Sequence, residues 1–179
     1  MKYLIYTIAI TLLLGINLGL FGNLPFFGQT PNLLFLLTFY FALEKKDLDF
    51  FFIAFVSGLF LDFFSVHFFG GYTIALLVTA SLLYLFTQNF ILQDINWKFL
   101  IGILLGSMAV ARILLWFYAV SVAVMHLAPE TDSLKVYFSD FTWSFLYNLL
   151  LMYPIYFFYG YLRKLVDLLT VKRRGIGQQ

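Results

Sequence analysis

Apolar runs of roughly 20 residues recur along this chain, the length at which a helix spans a hydrocarbon layer. That recurrence decides the fold class before any motif is read. Of the 179 residues, 63% are hydrophobic and only 11% charged, against about 25% charged in an ordinary soluble domain. The sequence predicts an all-α polytopic membrane protein of one domain, since no hydrophilic stretch is long enough to bury a core of its own. The chain has no cysteine, which excludes disulfides, thiolate metal sites and cysteine nucleophiles. Met1-Lys2 precedes the first run and no small-residue cleavage site closes it, so it reads as a retained helix.

Six spans can be drawn: Tyr3–Phe21, Pro31–Leu43, Asp49–Ser65, Tyr72–Leu92, Lys98–Leu127 and Phe141–Leu162, followed by a basic tail over 163–179. Gly22 with Pro25, Gly70-Gly71 and Pro129 mark turns. The second span is short: thirteen helical residues reach about 20 Å, against a layer of about 30 Å. Charge placement decides between five crossings and six. With six, Lys2, Lys45, Lys46, Lys98, Arg163, Lys164, Lys172, Arg173 and Arg174 share one side, only Lys135 lies opposite, and Arg112 falls within a span. The positive-inside rule then places both termini in the cytoplasm. Tyr153, Tyr156, Tyr159 and Tyr161 form an aromatic belt at the inner interface. In the tail, Leu165, Val166, Leu168 and Leu169 interleave with basic residues, as suits a short helix lying on anionic lipid headgroups. An ordinary topology-setting tail explains the same charges.

Ionisable groups at membrane depth are costly and mark function or architecture. Asp62 lies thirteen residues beyond Asp49, about 20 Å up its helix, and Arg112 lies fourteen beyond Lys98, about 21 Å up. Asn17 and Asn148, each fifteen residues from a basic end, come out near 22 Å, about the same layer. A guanidinium keeps its proton, so Arg112 needs a partner, a snorkelling route or a bound anion. The expectation is an Asp62–Arg112 pair completed by Asn17 and Asn148, read first as a polar clasp that fixes helix order and second as a ligand or ion site. On that expectation, Asp62→Ala abolishes folded protein, and Asp62→Arg with Arg112→Asp partly restores it.

Glycines four apart, Gly15 with Gly19 and Gly102 with Gly106, favour close helix packing within the chain over dimerisation. Gly58 lies one turn before Asp62 on the same face and would let a neighbour approach the carboxylate. His67 and His126 fall near the outer ends of their spans, where interface histidines are commoner than ligands. The sequence has no Gly-rich phosphate loop, HExxH or GxSxG motif. No serine has a credible base partner, and no basic, aromatic-rich nucleic-acid surface is present. No catalytic, cofactor or metal site is therefore expected, and no nucleic-acid partner. The longest outer connection, residues 128–140, carries Leu134, Val136, Tyr137 and Phe138. It suits either a partner protein on the outer side or the headgroups.

One region carries a family resemblance. Pro31-Asn32-Leu33-Leu34 opens the short span, a charged turn follows, and Gly58-Leu59-Phe60-Leu61-Asp62 then leads to Phe69-Gly70. This pattern resembles the rod shape-determining protein MreD family, over about forty residues; the rest agrees in length, span count and hydropathy. Asn32 in place of aspartate, and Val66-His67-Phe68 before the glycines, are small departures that do not bear on partner choice. The resemblance implies a non-enzymatic inner-membrane member of the cell-elongation complex. Its partners would be an MreC-like protein and, through it, the peptidoglycan synthases and the MreB filament. It also implies a six-helix transmembrane bundle similar to the substrate-binding subunits of energy-coupling-factor transporters. A substrate-binding subunit of a vitamin-type transporter is the alternative function.

Overall fold

A computed structural model describes residues 2–21, 31–44, 48–64, 69–89, 97–124 and 141–176. These form six α-helices: α1 (Lys2–Ile16), extended by one π-type stretch (Asn17–Phe21), α2 (Leu33–Leu43), α3 (Asp49–Phe64), α4 (Gly71–Asn89), α5 (Trp97–Val124) and α6 (Phe141–Ile176). Four stretches are long and apolar enough to cross a membrane: Lys2–Phe21, Gly71–Gln88, Lys98–Val124 and Phe141–Leu169. The chain is a helical membrane protein by these lengths and compositions.

The short helix occupies the middle. Every side chain of α2 from Leu33 to Ala42 is buried. A helix apolar on all sides is stable only when surrounded, and α1, α3, α4 and α6 surround this one. Its shortness follows from its place. The helix is 11 residues long, about 16 Å at 1.5 Å per residue, and both its ends carry a cap. Asn32 caps its start, its Oδ1 accepting from Phe35 N at 2.9 Å. Its far end reaches Glu44, whose backbone N–H returns to Phe41 O.

Successive helices run in opposite directions. The start of α1, the end of α2, the start of α3 and Arg163 of α6 meet at one end, here called the base. The start of α2, the end of α3, the start of α4 and Asn148 of α6 lie toward the other, the crown. Near the crown, Tyr118 of α5 donates to Phe69 O at 2.7 Å in the turn before α4. Gly70 in that turn has φ +104°, a conformation that L side chains rarely adopt.

α6 departs from expectation. The sequence ends this span at Leu162 and begins a separate tail; the helix runs unbroken from Phe141 to Ile176, through Pro154. Proline deprives Leu150 O of its donor. In the same turn Tyr40 of α2 donates to Met152 O at 2.9 Å, so a neighbour bonds the carbonyls around the missing link. Val166, in the expected tail, is buried.

Candidate functional site

Two polar layers cross the bundle. The basal layer is an ion cluster. Lys2 Nζ lies 2.7 Å from Asp49 Oδ1, and Arg163 NH1 lies 3.7 Å from Asp49 Oδ2. Arg163 NH2 pairs with Glu44 Oε1, Tyr159 donates to Glu44 Oε2, and Tyr6 donates to Asp49 Oδ2 at 2.9 Å. The Asp49 side chain is 5% exposed, so its charge depends on these partners. Arg163 also stands over the Phe41 ring, 5.8 Å from its centroid. The sequence reads as a charged turn between the second and third spans and a basic tail from Arg163, and hydropathy alone does not bring these together. The available signal was that all four charges flank spans at one end.

The crown layer begins with Asp62, which is 3% exposed. Its Oδ1 accepts from Tyr72 N at 2.8 Å; its Oδ2 accepts from Thr73 N at 3.0 Å and Thr73 Oγ1 at 2.5 Å. The first N–H groups of a helix have no partner within it, and the positive end of its dipole favours an anion. Asp62 therefore serves as the cap of α4, supplied from the preceding helix. Gly58 makes the approach possible: a Cβ there would lie 2.4 Å from Thr73 Cα. Gly71 does the same for α5, since a Cβ would lie 2.9 Å from the Tyr118 ring.

Asn17, Arg112 and Asn148 line one cavity of about 350 Å³, together with Asn32, Tyr72 and Ser144. Asn148 is fully buried and occupied by structure: its Oδ1 accepts from Asn32 N at 3.1 Å and its Nδ2 donates to Ser144 O at 2.8 Å. Asn17 is 9% exposed, and its Oδ1 is buried with no hydrogen-bond partner among the described residues. Asp62 backs onto the cavity through Tyr72, whose side chain lies within electrostatic reach of both Asp62 and Arg112. The capping contacts bear on the expected charge reversal. A guanidinium has no acceptor, so an arginine at position 62 cannot take the three hydrogen bonds that start α4.

The glycines divide. Gly58 lies at a close helix approach, whereas a Cβ added at Gly15, Gly19, Gly102 or Gly106 meets nothing within 4 Å. These four sit on exposed faces of α1, its π-type extension and α5, so the expected close packing is not seen there among the described residues. Gly102 and Gly106 instead floor an apolar groove between α4 and α5, about 600 Å³ in volume, walled by Leu82, Phe86 and Phe99.

His67, His126 and the connection 128–140 lie outside the described residues, as do the side chains of Lys172, Arg173 and Arg174. Among the described residues no three His, Asp or Glu side chains converge as metal donors. No protein-family model, curated protein or solved structure matches the chain.

Proposed function

We propose that the chain is a non-enzymatic membrane scaffold of the MreD kind, which docks an MreC-like partner and through it supports lateral peptidoglycan synthesis and the MreB filament. On this reading it is a six-helix transmembrane bundle of the bacterial inner membrane, with the base and both termini in the cytoplasm. The base holds Lys2 and Arg163, and the positive-inside rule assigns basic ends to that side.

The observation that carries the reading is the open side of α5. Only 22% of its apolar span is buried, because α5 rests on α4 and touches α6 only lightly. Phe99, Leu105, Ile113 and Phe117 remain exposed. Gly102 and Gly106 open a groove on that side, and a pair of small residues four apart lets another helix backbone come close. A single transmembrane helix of the partner is the occupant proposed. The residues of the family-like pattern support a structural role: Asn32 caps α2, Asp62 caps α4, and Gly58 brings α3 against α4.

The test is Gly106→Leu, whose Cβ would meet no described atom within 4 Å. The expected result is an unchanged melting temperature in detergent and at least a tenfold loss of co-purified MreC-like partner. Undiminished co-purification would remove α5 as the docking face. Retained rod shape after depletion of the chain in its host would overturn the function.

A further inference from the structure

We infer that the crown cavity is a binding site for a small anion that carries a hydrogen-bond donor beside its charge. Two features of the cavity converge on that chemistry. The Arg112 guanidinium lines it and offers hydrogen-bond donors only. The Asn17 carboxamide oxygen, buried and without a partner among the described residues, is an acceptor in need of an N–H or O–H. Buried polar groups in native structures nearly always have a partner, and each exception calls for an explanation. Asn17 also opens the π-type stretch Asn17–Phe21 that ends α1.

The rest of the lining fits a molecule with a polar head and a short apolar part. Phe35, Leu61, Met108 and Leu115 supply the apolar walls. At about 350 Å³ the cavity lies at the small end of ligand pockets, which run from about 300 to 1,000 Å³. That admits a metabolite-sized anion or one lipid headgroup. Asn148 and Asn32 hydrogen-bond to each other and to the helices that carry or follow them, so they shape the site in which Arg112 and Asn17 also line the wall. The site stands independently of the docking face on α5.

Two sources share this chemistry: a phospholipid headgroup with phosphate and hydroxyls, and a free phosphate ester. The experiment measures the melting temperature of the full-length protein in detergent with added glycerol 3-phosphate, and in nanodiscs of phosphatidylglycerol or phosphatidylcholine. Phosphatidylcholine has the phosphate without the donor. Wild type should gain several degrees from glycerol 3-phosphate, from phosphatidylglycerol over phosphatidylcholine, or from both; the arm that responds identifies the source. Arg112→Gln should lose the gain. Asn17→Leu should melt at or above the ligand-free wild type, since it removes an orphaned acceptor, and yet lose the gain. A purely structural Asn17 would not separate those two readings. No gain in either arm, an equal gain from phosphatidylcholine, or an undiminished gain in both variants would overturn the site.

Discussion

A carboxylate at the crown of a membrane bundle has to be worth its desolvation, and Asp62 meets that condition through what it accepts. Two backbone N–H groups and one hydroxyl from α4 converge on its two oxygens. Hydrogen bonds to a charged group contribute about 1.5–3 kcal/mol each, and orphaned N–H groups in lipid cost several kcal/mol. Asp62→Ala should therefore lower unfolding free energy by about 3 kcal/mol or more, measured by denaturation in detergent. Asp62→Asn should cost less, because its one carbonyl still accepts. The double variant Asp62→Arg, Arg112→Asp should be no better than Asp62→Arg alone; recovery of wild-type stability would show that the charge partner, not the start of α4, is what Asp62 serves. The depth of Asp62 was legible from helix rise. Its helix-capping role was not, because the acceptor acts on residues ten positions later across a turn, and helical periodicity says nothing about such a turn. The glycines teach the same lesson. Spacing proposes a close approach equally at Gly58 and Gly106, but only the rotation of each helix within the bundle decides which faces a neighbour.

The central element is α2, held to α6 along its whole length. Asn148 binds its start, Tyr40 reaches Met152 O at mid-height, and Glu44 at its end meets Arg163 and Tyr159. Tyr159 also stacks on Tyr40, with centroids 5.8 Å apart, and meets Phe41 edge-on at 4.9 Å. Asn148 and Arg163 lie fifteen residues apart, about 22 Å along the helix, so α6 acts as a strut that closes both ends of a helix too short to cross the layer alone. The brevity of the second span was plain in the sequence; that it would become the core was hidden, because uniform apolarity reads the same in a helix facing lipid and in one enclosed by others. Arg163 is the strut's basal anchor and faces both Glu44 and Asp49. Removing one partner of a buried ion pair typically costs 3–5 kcal/mol, since the remaining charge stays uncompensated. Arg163→Met should cost about 3 kcal/mol, toward the low end of that range because Glu44 keeps some solvent access. Lys2→Met should cost less than half as much, as its side chain is 34% exposed. Equal losses in the two variants would show that Arg163 does not anchor the strut.

At the scale of the molecule, alternation of the helices places the start of α1 and Arg163 of α6 at the base, but no bilayer boundary follows from packing alone. The boundary comes from where apolar surface ends and charge begins. On the proposed reading Lys2, Glu44, Asp49 and Arg163 would mark one limit, and Tyr118 with the turn at Gly70 the other. Base and crown are separated along α5 by the stretch from Lys98 to Tyr118, twenty residues or about 30 Å, which matches a hydrocarbon core. Membrane character was legible because it rests on summed hydropathy. Sidedness rests on a few basic residues, which makes it the property to measure directly. The native chain has no cysteine, so single cysteines can be placed without background. Lys46→Cys and Gln179→Cys should resist a membrane-impermeant maleimide in intact spheroplasts and react after lysis, whereas Lys135→Cys should react in both. Labelling of Lys46→Cys from outside, with Gln179→Cys protected, would mean that the end of α2 and the end of α6 do not share a side. The contact between Glu44 and Arg163 forbids that arrangement, so this outcome would overturn both the six-crossing topology and the basal ion cluster.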